Sequence, residues 1–390
     1  MKLAIVNQRY GLEVNGGSEY YTRLLAEHLV KYHEVEILTT TAKDYQTWHS
    51  EYKAGVEYLN GVLVRRFNVK KERTNWGFRL ADRLTRNKIV GTTRIVESLF
   101  LKEQGPYCPE IIEYIKKYSD RYDVIVYVTY LYYPTLQGIH EAKCKTVMVP
   151  TAHDEAYFYM QLVKDAIEQA DALVYLTEEE KKFVEHTYLV SDKKNDVIAI
   201  GVNAEEELTE TVELSDVSEP YIIYAGRIDK AKGCEEMLQY YLSYRKKEGD
   251  NALPFVLIGE KYIEIPDDSN IKYLGFVDEQ EKNAYIKNAK ALILPSKFES
   301  LSISVLEAMN YGVPVLVNGK SDVLKGHVIR SRGGLYYESE TEFCTALSSI
   351  INSRENYAKM GMQYVDNYYR WNIVEEKWNH LLNDITLGGR

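Results

Sequence analysis

Short apolar runs, separated by glycine-bearing loops and amphipathic stretches, make up most of this chain. Residues 2–7 read as a first strand, residues 20–30 as a helix and residues 34–38 as a second strand. Comparable apolar runs return at residues 147–149, 221–225, 255–259, 271–277, 291–295 and 313–317. They are nearly continuous in apolar character rather than alternating, as expected of strands covered by helices on both faces. The pattern predicts an α/β chain of doubly wound parallel sheets. An acidic, core-poor stretch from Ala204 ends at Pro220 and marks a linker at 203–220, between a first domain at 1–202 and a second at 221–371. A last helix over 372–390 carries Val374, Trp378, Leu381, Leu382 and Ile385 on one face.

Composition narrows the class. With 390 residues and 45% hydrophobic content the chain has enough material for two cores. Its net charge of −10 argues against a nucleic-acid binder. Cys108, Cys144, Cys234 and Cys344 form no C-x-x-C pair, which predicts free thiols and a reducing compartment. No charged-then-apolar leader and no apolar run long enough to span a bilayer is seen, so a cytoplasmic protein is expected. The 34 tyrosines suit stacking on sugars but equally fit compositional drift.

Candidate chemistry concentrates in the second half. Glu299 and Glu307 straddle the predicted start of a helix that Gly312 and Pro314 end. Eight positions at about 100° each would leave the carboxylates about 80° apart on one continuous helix. The reading adopted puts Glu299 in the loop and Glu307 in the first turns, both bordering free N-terminal amides that favour an anion. Carboxylates beside an anion site suit hydroxyl groups, so the ligand combines phosphates with many hydroxyls, as a nucleotide sugar does. The plainer reading is that Ser304 and Glu307 form a capping box and Glu299 is a solvated charge. Upstream, residues 221–225 run into Gly226-Arg227 and then Lys232-Gly233. Glycines at such a turn admit a close ligand, and Arg227 and Lys232 supply cations for a diphosphate. The order of a Walker loop is missing.

The pattern G-R-x4-K-G, followed by E-x7-E-A-x3-G-x-P-V, resembles the retaining glycosyltransferases of the GT-B fold, specifically glycosyltransferase family 4. Further matches lie at Asn15-Gly16-Gly17-Ser18-Glu19, at the strand that ends in His153-Asp154, and at the strand and turn through Phe276 and Val277. The resemblance implies two Rossmann-like domains facing across a cleft, with the last helix crossing back to the first. It implies that His153 and Glu299 serve the sugar and that Gly16, Gly17, Arg227, Lys232, Leu301, Ser302 and Ile303 hold the diphosphate. Glu307 would bind the ribose and Phe276 and Val277 would border the base. It further implies a UDP- or GDP-linked donor, a glycan or lipid-linked acceptor, no cofactor and, in the absence of D-x-D, no metal. Ser300 and Ser302 stand where the family often has glycine, and Lys320 follows Asn318-Gly319 where a Gly-x-x-Glu turn is usual. Within the same fold, a nucleotide-sugar epimerase or hydrolase and a non-catalytic sugar-nucleotide-binding subunit are the competing readings.

Residues 65–102 hold eleven Lys or Arg against three acids in an otherwise acidic chain. Trp76, Leu80 and Leu84 fall at helical spacing, flanked by Arg79, Arg83 and Arg86. Such a helix either packs its apolar side on the core with arginines in water, or meets an anionic membrane or a lipid-linked acceptor's phosphates. The second case predicts peripheral attachment to the inner face of a membrane.

Overall fold

The structure is a computed structural model that describes residues 1–14, 16–86, 93–204, 217 and 220–387. The chain forms two compact units, one of Met1–Ile200 with Glu375–Arg390, the other of Gly201–Val374.

The first unit is built on eight strands: β1 (Lys2–Val6), β2 (Glu34–Thr40), β3 (Gly55–Leu59), β4 (Val62–Phe67), β5 (Val124–Val128), β6 (Lys145–Val149), β7 (Ala172–Tyr175) and β8 (Lys194–Val197). Their order across the sheet is β3-β4-β2-β1-β5-β6-β7-β8. Every pair is parallel except the β3–β4 hairpin. Leu3, Ala4, Ile5 and Val6 of β1 and all of β5 are fully buried, which explains their uninterrupted apolar sequence. β3 is almost wholly exposed at the edge of the sheet.

The second unit holds β9 (Ile222–Ala225), β10 (Phe255–Ile258), β11 (Ile271–Gly275), β12 (Ala291–Leu294), β13 (Val315–Asn318) and β14 (Gly334–Tyr337). The order β11-β10-β9-β12-β13-β14 is parallel throughout. Both sheets reverse direction of growth beside their first strand. From β1 the chain builds outward through β2 and then returns to β5; from β9 it builds to β11 and returns to β12. These switch points, at the strand carboxyl ends, are where open α/β sheets bind ligands.

Local details differ from expectation in three places. The helix expected from residue 20 spans Gly17–Leu29, so Gly16 is its N-cap and Gly17 its first residue. Phe276 and Val277 follow the end of β11, and Phe276 is exposed. The basic segment is not one element. Arg65 and Arg66 lie in β4, ion-paired to Glu36 and Glu57, while Trp76 to Leu84 belong to the helix Asn75–Thr85. Part of that segment, residues 87–92, lies outside the described residues, as does Asn15. The last helix spans Trp371–Leu387, and Val374, Trp378, Leu381, Leu382 and Ile385 are all buried. No helix among the described residues is long and apolar enough to cross a membrane.

Candidate active site

In the second unit, β9 passes straight into Gly226, whose φ of +155° lets the chain turn while its N–H bonds Ile258. Asp229 organises the loop that follows: it accepts from the Lys232 backbone N–H at 2.7 Å and pairs with Arg227. Gly233 then adopts φ +80°, and a Cβ there would lie 2.6 Å from the Pro295 carbonyl. Only glycine permits that approach, which brings the β9 turn against the end of the neighbouring β12. The Lys232 ammonium consequently meets Glu299 Oε1 at 2.7 Å.

Past Glu299 the chain enters the helix Ile303–Asn310 through Ser302, an N-cap held at φ +69° without a side-chain capping bond. That left-handed conformation is one glycine adopts without strain, which gives a physical reason for glycine in this loop. The strain is held in place by neighbours: His327 Nε2 lies 2.8 Å from the Leu301 carbonyl, and Asn318 donates to the Pro295 carbonyl at 2.9 Å. The backbone amides opening the helix have no intrahelical acceptor. Ser304 is inside the helix, so the capping-box reading fails. Glu307 instead spends both carboxylate oxygens on Lys282 Nζ, at 3.1 and 3.2 Å. Burial lowers the Lys282 pKa, but Glu307 and Glu279 outweigh it and the net shift is upward. Arg227 and Lys232 thus pair with Asp229 and Glu299, and Lys282 pairs with Glu307 and, at 3.9 Å, with Glu279.

In the first unit, Gly16 and Gly17 have different reasons to be glycine. A Cβ on Gly16 would strike the Glu19 carboxylate, whereas one on Gly17 would meet nothing within 4 Å. Gly16 makes room for a buried network in which Glu19 accepts from Arg9 at 2.6 and 2.8 Å and from Gln8 at 2.9 Å. Gly17 leaves the helix start open. Two left-handed threonines, Thr129 after β5 and Thr151 after β6, share a hydroxyl bond of 2.8 Å. His153 follows, about a third exposed and 3.6 Å from Glu155, which accepts in turn from the Tyr130 hydroxyl. Glu180 fastens this loop from below. Buried in the helix Glu178–Tyr188, it accepts from the Ala152 N–H at 2.5 Å and the Leu176 N–H at 2.6 Å. Burial pushes its carboxyl up to about 8, against the pull of backbone N–H groups of Leu176, Ala152 and Thr151. A hollow of about 650 Å³ beside Met1, His33 and Asp123 lies at the opposite, amino ends of β1 and β2 and carries no such arrangement.

Two family matches divide the chain between them: residues 15–206 match Glycosyltransferase Family 4, and residues 205–364 match Glycosyl transferases group 1. The chain belongs to the GT-B glycosyltransferases of family 4. Among curated relatives of this glycosyltransferase chain, an uncharacterized 41.2 kDa protein in the cps region of Klebsiella pneumoniae is 26% identical over 189 residues. That match covers 46% of this chain and 51% of the relative. An uncharacterized glycosyltransferase of Haemophilus influenzae is 26% identical over 232 residues, covering 56% and 62% of the two chains. The chain thus spans between half and two thirds of the length of these curated relatives. A solved sucrose-phosphate synthase from Thermosynechococcus elongatus matches all of both chains with a TM-score of 0.70 at 17% identity, a likeness of fold.

The sequence-derived donor residues Arg227, Lys232, Glu299, Leu301, Ser302, Ile303 and Glu307 gather around the β9 and β12 ends of the glycosyltransferase's second unit. Gly16, Gly17 and His153 follow β1 and β6 in the first. Lys282, His327 and Glu180 are additions that only the structure supplies.

Proposed function

We propose that the protein moves a sugar from a nucleoside-diphosphate donor, UDP- or GDP-linked, to a glycan or lipid-linked acceptor, with retention of anomeric configuration, in cell-surface polysaccharide synthesis. The observation that carries the donor reading is the Lys232–Glu299 pair of 2.7 Å, set between a glycine turn and the start of a helix. A diphosphate arriving there shares Lys232 and Arg227 with their carboxylates and takes the free amides from Leu301 to Ile303. Glu299, released from Lys232, turns to the sugar hydroxyls; Glu307 takes the ribose, and Phe276 and Val277 border the base. His153 serves the sugar and the amides near Gly17 assist, as the family resemblance implies.

Chemically, the bond between the anomeric carbon and the phosphate oxygen breaks as the acceptor oxygen forms its bond on the same face. The departing phosphate oxygen accepts the acceptor's proton, so the step balances without a protein nucleophile. Arg227, Lys232 and the helix amides stabilise the charge that grows on the leaving oxygens. The cations do this without metal. The carboxylate pair is therefore not a glycosidase dyad.

Two observations favour peripheral attachment to an anionic membrane: Trp76 and Leu80 are 77% and 43% exposed beside Arg79 and Arg83. The identifying experiment is a thermal-shift panel of UDP-, GDP-, ADP- and TDP-sugars, followed by NMR of the product's anomeric centre. One sugar nucleotide at about 100 times its dissociation constant adds about 2.7 kcal/mol. No shift with any of them overturns the proposal, as does an inverted product for its stereochemical part.

A further inference from the structure

The residues that follow β1, β2, β4 and β5 carry an arrangement the transfer reading leaves unused. Trp48, fully buried, has two guanidinium groups near its ring: Arg9 at 5.9 Å and Arg73 at 5.1 Å from the centroid. Tyr132 meets the same ring edge-on at 5.4 Å. The two arginines are not equivalent. Arg9 is neutralised by Glu19. Arg73 has no carboxylate partner within ion-pair distance among the described residues; its Nε and Nη2 both donate to the Gln104 carbonyl, at 3.1 and 2.6 Å, and Phe78 lies 4.8 Å away. Its Nη1 has no acceptor among the described residues.

Two further facts bear on Arg73. Burial pulls its pKa below the usual arginine value, only partly offset by Tyr132, Tyr45 and Asp44, so the charge is poorly solvated where it stands. Asp44, the carboxylate among those groups, is already committed to its own turn, accepting from the Gln46 N–H and from the N–H and hydroxyl of Thr47. The Tyr132 hydroxyl also has no hydrogen-bond partner among the described residues, although it lies within electrostatic reach of Glu19, Arg9, Arg73 and Glu155. A guanidinium N–H and a phenol that lack hydrogen-bond partners among the described residues, beside aromatic rings, offer a ligand one cation without an ion-pair partner and one neutral hydroxyl.

We infer that this is an acceptor subsite for a sugar bearing a phosphate or carboxylate, with Arg73 on the anion and Tyr132 on a neighbouring oxygen. The inference rests on the transfer reading above and specifies the charge class of its acceptor. Glu155 ties the two together, since it lies within reach of Tyr132 and 3.6 Å from His153.

Saturation-transfer NMR on the full chain tests it, with glucose 6-phosphate, glucuronate and glucose as probes. Both charged sugars, or one of them, should saturate at least five-fold more strongly than glucose, and the stronger one names the group. Arg73→Met should abolish that preference and Arg73→Lys should retain part of it. Because Arg73 also holds the Gln104 carbonyl, its loss can lower the melting temperature. Tyr132→Phe removes only a hydroxyl without a partner, so it should weaken the charged probes with melting unchanged. Equal saturation by glucose in the wild type overturns the inference. So does a preference that survives Arg73→Met, or charged-probe binding unchanged by Tyr132→Phe. Titrations of wild-type protein with UDP and GDP judge the donor reading separately, so the failure of one is not mistaken for the failure of the other.

Discussion

Lys282 holds both carboxylate oxygens of Glu307, at 3.1 and 3.2 Å, so the carboxylate assigned to the ribose is already engaged before any nucleotide arrives. Both side chains are largely shielded from water. A charge-assisted bond of this kind contributes about 1.5–3 kcal/mol. Lys282→Met and Glu307→Gln should each lower the melting temperature by a few degrees, and together by clearly less than the sum. A double-mutant cycle with no coupling would mean that the two charges act independently in solution.

Arg227 and Lys232 should govern donor affinity. Alanine at either position is expected to weaken nucleoside diphosphate binding by about 1.5–3 kcal/mol, read by calorimetry. Glu299→Gln still accepts from Lys232, so its melting temperature should stay near wild type while transfer falls at least ten-fold, about 1.4 kcal/mol of barrier. Normal turnover in Glu299→Gln would sink the role assigned to this carboxylate.

The strands were legible because burial on both faces left continuous apolar runs, as in residues 3–6 and 222–225. Glu299, Arg227 and Lys232 were legible because glycines and a helix start punctuate the sequence around them. The capping box was misleading for a local reason: Ser302 opens the helix two residues before Ser304, and Lys282, 25 positions upstream, claims Glu307. His327 and Glu180 act through backbone groups of loops on other elements, 26 and 28 positions away, and no spacing rule marks such contacts. The stripe of Trp76 and Leu80 was periodic, yet periodicity does not say which face is covered. Here Ala81 is buried and Phe78 packs 6.2 Å from Phe100, which leaves the stripe outside.

Activity should persist in excess EDTA. The basis is that Arg227, Lys232 and the helix amides supply the donors a diphosphate needs at this site. Complete loss of transfer, restored by Mg²⁺ or Mn²⁺, would contradict it.

Glu180 predicts a pH dependence of folding. Its carboxyl is raised by burial from an ordinary 4.5 to about 8 in the folded chain. The folded state therefore binds the proton more tightly than the unfolded one between those values. This contribution to stability is complete below about pH 4.5 and is lost as pH rises through 8. Melting temperatures of wild type and Glu180→Gln, compared from pH 5 to 9, should show the wild type falling relative to the variant as it loses this contribution. The same substitution should change kcat more than KM for donor if Glu180 positions the loop that carries His153. Parallel pH profiles for the two proteins would exclude the titration.

The helix Asn75–Thr85 and its neighbour Arg94–Gln104 together expose Trp76, Leu80, Ile95 and Leu99, the last two at 83% and 41%. Of the nearby cations, Arg86 is engaged by Asp82 and Tyr157 and Arg94 by Asp165, while Arg79 and Arg83 have no carboxylate partner among the described residues. An apolar ridge with free guanidinium groups beside it suits an interface with anionic lipid, where each basic residue near the surface contributes about 1 kcal/mol. Two such residues and a partly inserted tryptophan give reversible attachment that weakens as salt rises. In flotation at low salt the protein should rise with vesicles containing phosphatidylglycerol and stay down with phosphatidylcholine alone. Arg79→Glu with Arg83→Glu should release it, and Trp76→Ser should weaken it at every salt concentration, since that contribution is apolar. UDP and GDP affinities of these variants should match the wild type, because Arg227 and Lys232 belong to the other unit. A wild-type protein that stays at the bottom with phosphatidylglycerol vesicles would show that the ridge is not a membrane contact.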